Sequence, residues 1–357
     1  MLRSRLPLLP PWLAIATCAA LPYLVALHTF PLPTYYSEFA AGVCWAVLAV
    51  VVLALTWRNK MGLPPIALAP LALICVLFLQ LQLAPPLNPF LSLAATVFLL
   101  AAAAACGLGA RCRSLPGALE AFAFGLILGG LASVAVEVLQ VFRVENLPVT
   151  LFSMVPTGAG RRMWGNMNQP NHLASYLAFG LAACAFFASY CRRAWLPLML
   201  VGLVLLLGMV LTFSRISWLH IVIVGGLAGL LWTKDQRGVR RWLLACAPLV
   251  LLAVVYQLLD GLVAHANLLW HWGLPGSVGD RMQEGAGLRR LLWTHAWYMF
   301  LAHPWLGGGW GDYAWNQFVQ TDALGRVEMS FNAHNIVLDQ LAKVGVLGLL
   351  AVALPVL

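Results

Sequence analysis

Charged side chains are scarce in this sequence. Only 9% of the 357 residues are Asp, Glu, Lys or Arg, whereas 62% are hydrophobic and the mean hydropathy is +0.86. A water-soluble domain carries about 25% charged residues, so this composition excludes soluble enzymes and disordered chains. The apolar runs are about 20 residues long rather than short and alternating, which excludes an outer-membrane barrel. The sequence therefore predicts an all-α polytopic membrane protein.

Motifs for metals, disulfides and nucleotides are also missing. The eight cysteines lie in or beside apolar runs, without a Cys-x-x-Cys pair, and the longest polar loop has none. His265, His271, His295 and His303 lack metal-ligand spacing, and there is no Asp-x-Asp pair. The glycines from Gly307 to Gly311 lack the P-loop lysine and predict a tight turn. We therefore expect no catalytic metal, no cofactor and no ATP-driven transport.

Ten apolar runs predict about ten transmembrane helices. They lie near residues 8–30, 39–57, 63–83, 90–110, 116–142, 170–190, 195–213, 216–233, 242–262 and 335–355. We divide the chain into N-terminal transmembrane helices (1–142), a loop with an amide-rich motif (143–169), central helices (170–262), a large loop (263–334) and a last helix (335–357). The tryptophans of the large loop predict short amphipathic helices at headgroup depth. Because the chain ends inside an apolar run, we expect it to be truncated.

Basic residues set the predicted orientation in the bilayer. They fall on alternate loops, so the positive-inside rule places the N-terminus in the cytoplasm and both long polar loops in the periplasm. We assign the net charge of +9 to this topology and expect no nucleic-acid partner. The basic residues concerned are Arg3, Arg5, Arg58, Lys60, Arg111, Arg113, Arg192, Arg193, Lys234, Arg237, Arg240 and Arg241.

Polar residues crowd at the start of the sixth span. Pro170 suits the first turn of a helix, which places Asn168 and Gln169 at its cap. Helix capping alone would explain one amide, but the density of polar groups favours a binding role. The crowded residues are Arg161, Arg162, Trp164, Asn166, Asn168, Gln169, Asn171 and His172.

Two further polar groups flank predicted spans. The run from Thr212 to Arg215 places an arginine between two apolar spans, where it either marks the membrane interface or offers a fork for phosphate oxygens; Arg281, Arg289 and Arg290 are possible additions to such a clamp. His334 begins the last span, where it is either a structural donor or a proton acceptor. Asp339 and Lys343, four residues apart, predict an ion pair.

Three stretches resemble a known superfamily. The segment from Gly165 to Ala174 resembles the signature of protein O-oligosaccharyltransferases of the PglL and pilin-glycosylase type. Two others resemble the wider superfamily of O-antigen ligases and Wzy-type O-antigen polymerases. They are Thr212 to Arg215, and the run from Arg289 through His303 and Gly311 to His334 and Asn335.

The resemblance implies a glycosyltransferase. It would move a preassembled glycan from undecaprenyl pyrophosphate to Ser or Thr of a pilin or another periplasmic protein, at the bacterial inner membrane. By motif, His334 and Gln169 match the family's essential histidine and an activity-supporting glutamine, and Arg215 and Arg289 match pyrophosphate-binding arginines. We therefore expect His334 and Gln169 to be catalytic. The expected substrate-binding residues are Arg215, Arg289, Arg161, Arg162, Asn168, Asn171, His172 and Asn335.

This chemistry also fits the residue types. Pyrophosphate is already a good leaving group, so arginines, amides and one imidazole suffice to stabilise charge, position a hydroxyl and accept its proton. In-line attack would invert the anomeric carbon. Two alternatives stay open: an O-antigen ligase or polymerase, whose acceptor is lipid A core or another glycan, and a transporter of lipid-linked glycan. A transporter would show discontinuous helices and related halves.

Overall fold

The computed structural model of the chain describes residues 9–28, 34–58, 62–144, 147–153, 159–234, 236–278, 287–325, 329–353 and 355. Within these ranges the regular structure is entirely helical, without a strand. This confirms the all-α prediction. The α-helices, numbered along the chain, are α1 Leu9–Ala20, α2 Tyr35–Thr56, α3 Leu68–Leu83, α4 Pro89–Cys112, α5 Ala118–Val141, α6 Pro170–Tyr190, α7 Trp195–Leu211, α8 Ile216–Trp232, α9 Gly238–Trp270, α10 Gly287–Ala302, α11 Tyr313–Val319, α12 Thr321–Leu324 and α13 Ile336–Ala353.

Each predicted span coincides with one of these helices. In the described part of the chain, seven helices are long and apolar enough to cross a membrane, and α1 with its following 3₁₀ turn, α7 and α8 are shorter apolar helices. The large polar loop contains α10, α11 and α12. The chain is therefore a multi-pass membrane protein.

The ends of two helices differ most from the predicted spans. Helix α1 ends at Ala20, and the chain continues in the 3₁₀ turn Leu21–Leu24, which contains Pro22. Helix α9 runs on to Trp270 because the polar side chain of Asn267 turns to the following loop, where it accepts from the Leu274 N–H at 3.1 Å and donates to its carbonyl at 3.1 Å. Asn267 therefore continues the helix rather than ending it.

The chain forms two compact units that are interleaved in sequence. Unit 1 comprises Met1–Leu55 and Leu115–Glu284, and unit 2 comprises Thr56–Ser114 and Gly285–Leu357. In unit 1, α5 packs with α1, α6 and α7, and α8 packs with α9. Glycines allow close helix contact here: a Cβ at Gly229 of α8 would collide with the carbonyl of Ala245 on α9.

In unit 2, α13 packs against α3 and α10. The helix is broken at Gly345, whose φ of 65° and ψ of −165° suit glycine. The N–H groups of Val346 and Leu347, freed by the break, donate to the carbonyls of Pro304 and Trp305 at 2.9 and 3.2 Å. Backbone polar groups inside an apolar helix need such partners.

The carbonyls before the break are satisfied by the same loop. Gly308 and Gly309 donate their N–H groups to the carbonyls of Ala342 and Lys343 at 2.8 and 3.3 Å, and Gln80 of α3 also donates to Lys343 at 2.8 Å. The glycine-rich stretch is therefore a close-packing segment joined to α13 through backbone hydrogen bonds.

Candidate functional site

The loop before α6 is anchored by a side chain of α5. The buried Gln140 donates its Nε2 to the carbonyls of Ser153 and Gly165, both at 2.7 Å. Its Oε1 accepts from the N–H groups of Trp164 and Gly165 at 3.3 and 3.1 Å. One amide thus fixes the backbone at the start of the amide-rich motif.

Asn166 ties the same loop together. Its Nδ2 donates to the carbonyls of Leu24 and Leu151, both at 2.8 Å, and its Oδ1 accepts from the N–H of Ser153 at 3.0 Å. Its carbonyl lies 2.6 Å from Nε2 of His28. Because Asn166 is also buried, its side chain serves the scaffold.

Arg161 joins the ends of two helices. Its guanidinium donates to the carbonyls of Gln140 and Val141 at the end of α5, at 3.1 and 2.9 Å, and to the carbonyl of Trp272 after α9, at 2.7 and 3.0 Å. Burial lowers the pKa of this guanidinium from its ordinary value, and the nearby charge of Arg143 lowers it further. These bonds show a capping role for Arg161, and substrate binding by it stays a prediction.

The next residue, Arg162, connects two of the predicted motifs. Its Nε donates to the carbonyl of Thr212 at 2.8 Å, and its Nη2 donates to Oδ1 of Asn171 at 3.2 Å. The hydroxyl of Ser214 donates to the same Oδ1 at 2.6 Å. We call Arg162, Asn171, Thr212 and Ser214 the arginine–amide cluster, and it brings the amide-rich motif into contact with the arginine motif.

Gln169 and its neighbours lie beside this cluster at the start of α6. Oε1 of Gln169 accepts from the N–H of Asn171 at 2.6 Å, so Gln169 is the N-cap. This confirms the predicted capping. Asn168 and His172 are exposed, and Asn168 has a left-handed φ of 54°.

Arg215 follows the cluster directly. It is half-buried and precedes the first turn of α8. The turn before it is held by Oγ1 of Thr212, which donates to the Met209 carbonyl at 2.7 Å and accepts from the Ser214 N–H at 3.2 Å. Phe213 in this turn is fully buried with a φ of 46°. A side chain in this sparsely populated conformation needs such packing.

One end of unit 1 therefore carries both motifs. The hydrogen bonds of residues 161–171 reach the end of α5, the start of α6, the end of α7 and the chain after α9. This is the arrangement expected if successive helices cross in alternate directions. Gln169 and Arg215 thus belong to the same end of the unit, as predicted.

The predicted histidine segment lies in unit 2. His334 is exposed with a left-handed φ of 50°, and its N–H donates to Oδ1 of Asn332 at 3.1 Å. The preceding Ala333 is fully buried, and its N–H donates to Oδ1 of Asp339 at 3.0 Å. Asn335 caps α13 by accepting from Val337 at 3.1 Å. The imidazole is therefore presented outward from a backbone that is fixed on both sides.

Asp339 and Lys343 form the predicted ion pair, with Oδ2 and Nζ 2.9 Å apart. The ammonium of Lys343 also lies 5.6 Å from the ring centre of Tyr313 and 5.9 Å from that of Trp310. Burial, with the charge of Asp339 as a smaller cause, raises the pKa of Tyr313 well above its ordinary value. Asp339 thus links this ion pair to the backbone beside His334.

The remaining predicted arginines belong to the large loop. Arg289 and Arg290 are exposed in the first turn of α10, and Arg281 lies outside the described residues. Among the described residues, no group of three His, Cys, Asp or Glu side chains could hold a metal ion.

Sequence reasoning missed the partners of the motif residues. Gln140 and the fully buried Glu137 stand one turn apart in an otherwise apolar span, which is the signal that marks a polar residue with a role. Ser214 lies inside the run Thr212 to Arg215, in which the family resemblance indicates a role for the arginine alone. The positions of Gln140 and Ser214 indicate that each has a role, but not that Gln140 bonds to Gly165 and Ser214 to Asn171.

Comparison with protein families gives two matches. The O-antigen ligase family matches residues 200–353, and the protein glycosylation ligase family matches residues 163–186. Most of the predicted site residues lie within these ranges. No curated protein and no solved structure matches the chain significantly. The two matches confirm the resemblance and support an enzyme of the protein O-oligosaccharyltransferase type within the O-antigen ligase superfamily.

Proposed function

We propose that this protein transfers a preassembled oligosaccharide from undecaprenyl pyrophosphate to Ser or Thr hydroxyls of a pilin or another periplasmic protein. The transfer takes place at the periplasmic face of the bacterial inner membrane, with the N-terminus in the cytoplasm. The observation that supports it best is the arginine–amide cluster, in which Arg162 contacts both Asn171 and Thr212. Asn171 lies in the protein glycosylation ligase match and Thr212 in the O-antigen ligase match.

The proposed reaction breaks one bond and forms another. The acceptor oxygen attacks C1 of the first sugar, the bond between C1 and the phosphate oxygen breaks, and undecaprenyl pyrophosphate leaves with the electron pair. His334 accepts the proton of the hydroxyl, which suits its exposed imidazole. Arg215 and Arg289 stabilise the pyrophosphate, and Gln169 orients the substrate. The anomeric carbon is inverted, and no metal takes part.

The remaining candidates are assigned to substrate binding. Arg162, Asn168, Asn171 and His172 would bind phosphate or sugar hydroxyls at the end of unit 1, and Asn335 would bind them at the start of α13. Exposure of Asn168 and His172 supports this assignment. Arg161 is a weaker candidate because helix-end carbonyls already accept from its guanidinium.

An O-antigen ligase or polymerase is the second candidate, favoured by the length of the O-antigen ligase match. The test is to express the protein in a bacterium that makes a lipid-linked glycan and a candidate pilin. A mass increase of the pilin supports protein glycosylation. A changed lipopolysaccharide ladder with an unmodified pilin would show the second candidate instead. Loss of transfer in EDTA would overturn the metal-free mechanism.

A lipid-linked glycan transporter is the third candidate. The break of α13 at Gly345 is the kind of discontinuity that transporters use. Here, however, the N–H and carbonyl groups freed by the break form hydrogen bonds with other backbone groups of the protein, so they are not available to bind a substrate. Movement of labelled lipid-linked sugar across liposomes, without transfer to an acceptor, would favour this candidate over the enzyme.

A further inference from the structure

Three aromatic rings lie together at the end of unit 1 that carries the arginine–amide cluster. The ring centres of Trp270 and Trp272 are 5.2 Å apart at 33°, and those of Phe142 and Trp272 are 5.6 Å apart in an edge-to-face arrangement. Trp270 is 64% exposed and Phe142 is 61% exposed. We call these three residues the aromatic platform.

The backbone beneath the platform is held firmly. Arg161 donates from its side chain to the carbonyl of Trp272 and from its N–H to the carbonyl of Gly273 at 3.1 Å. Asn267 fixes the next residue, Leu274, by bonding to both its N–H and its carbonyl. Exposed aromatic rings with a fixed backbone lose little conformational entropy when they bind a ligand.

The chain is also turned sharply at the platform. Arg143, after Phe142, has a φ of 50°, and His271, between the two tryptophans, has a φ of 49°. Both residues stand at helix ends, His271 directly after α9 and Arg143 one residue beyond the C-cap of α5, where a left-handed residue is a common way to end a helix. Both residues are exposed and polar, so the platform has hydrogen-bond donors at its border.

The platform is continuous with the candidate site. Arg161 holds Trp272, and the adjacent Arg162 contacts Asn171 and Thr212 of the cluster. The face of an indole ring is rich in electrons, whereas the C–H groups of a pyranose face are apolar and weakly positive, so a sugar ring stacks well on it. Phosphate, in contrast, gains nothing from such a surface.

From this geometry we infer that Phe142, Trp270 and Trp272 form a binding subsite for pyranose rings. Resting on the proposed function, we assign to it the sugars of the donor glycan beyond the first one. The subsite therefore strengthens the binding of donors with longer glycans and has no part in breaking the bond between C1 and the phosphate oxygen. An anchor at the membrane interface, the other use of exposed tryptophan, would not depend on the glycan.

The test compares two donors and three proteins. Undecaprenyl pyrophosphate carrying one N-acetylglucosamine and the same lipid carrying three are offered to wild type, Trp270→Ala and Trp270→Phe in nanodiscs. We expect Trp270→Ala to raise KM for the three-sugar donor about 3- to 10-fold and to leave the one-sugar donor unchanged, with Trp270→Phe in between. The matched control is Trp195→Ala, because Trp195 is 55% exposed at the first residue of α7.

Equal effects of Trp270→Ala on both donors, or no effect on either, would overturn the subsite and leave the proposed function standing. A second measurement tests the subsite independently of the transfer reaction. It is the binding of free chitotriose, monitored by saturation-transfer NMR. If wild type and Trp195→Ala bind chitotriose and Trp270→Ala binds it 3-fold more weakly or worse, the subsite stands even where no transfer is detected. Absence of chitotriose binding to the wild type, together with no preference for the longer donor, would overturn it.

Discussion

The arginine–amide cluster of unit 1 and the His334 segment of unit 2 use polar side chains in opposite ways. Around the cluster, Arg161 and Asn166 are buried and donate to several backbone carbonyls. At His334, neighbouring side chains fix the backbone and the imidazole stays exposed. Residues of the first kind support the scaffold, and residues of the second kind are available to a substrate. A single motif therefore contains residues of both kinds, and the burial of each side chain distinguishes the scaffold residues from those available to a substrate.

The largest effect is expected from His334→Ala. Removing a general base lowers the rate by about 10²- to 10⁴-fold, while the exposed position predicts an unchanged unfolding temperature. Initial transfer rates and thermal unfolding of the purified protein in detergent measure the two quantities. His265→Ala is the control, since His265 is exposed in α9 and outside the motifs. A His334→Ala protein of full activity would refute the catalytic assignment.

Arg161→Met should act on stability instead. The substitution leaves the carbonyls of Gln140, Val141 and Trp272 without their donor, which costs about 3 kcal/mol. We expect a lower unfolding temperature, with near-normal transfer per folded molecule. Arg143→Met, a neighbouring exposed arginine, should change stability by less than about 0.5 kcal/mol. If Arg161→Met kept its stability but lost transfer activity, a buried residue would act on the substrate, and burial would not distinguish scaffold residues from substrate-binding residues.

Ser214→Ala tests the bond that joins the two motifs. It removes the 2.6 Å donor to Asn171 but leaves Arg162 in contact with the same oxygen, so we expect about 1 kcal/mol of lost stability. A double-mutant cycle of Ser214→Ala with Asn171→Leu measures the coupling from unfolding temperatures and denaturant curves. If the two substitutions lower the free energy of unfolding by strictly additive amounts, this contact does not link the motifs.

Asp339→Asn should give the smallest change. The amide oxygen still accepts from the N–H of Ala333, but the ion pair with Lys343 is lost. A partly exposed pair of this kind contributes about 0.5 to 1 kcal/mol. Because its loss shifts the backbone that holds His334, we expect the transfer rate to fall about 3-fold. Transfer rates of Asp339→Asn, alone and combined with Lys343→Met, measure this. Asp322→Asn, at an exposed acid of α12, is the control. A drop equal to that of His334→Ala would assign Asp339 a direct role.

Hydrophobic run length predicted the helices well. Helix α6 was predicted with both of its boundaries because Pro170 begins its first turn. The break in α13 was not predicted, since a glycine within an apolar run gives no sign that another backbone will approach it. The interleaving of the two units was likewise out of reach, because it depends on which helix faces pack together.

Motifs located candidate residues but not their partners. The amide-rich segment pointed to Asn166 and Asn171 alike, yet one is saturated by backbone carbonyls and the other accepts from Arg162 and Ser214. Spacing along the chain cannot distinguish them, because the partners include Ser214, in the turn after α7, and Leu24, in the 3₁₀ turn after α1. The dependence of the motif loop on Gln140 is of the same kind.

The interruption of α13 at Gly345 has a consequence for protein engineering. Since Val346 and Leu347 on one side, and Ala342 and Lys343 on the other, share backbone bonds with residues 304–309, the two segments form a single exchangeable module. A chimera that takes either segment alone from a homologue would leave backbone N–H and carbonyl groups without hydrogen-bond partners in an apolar environment. Grafts that carry both together preserve the pairing.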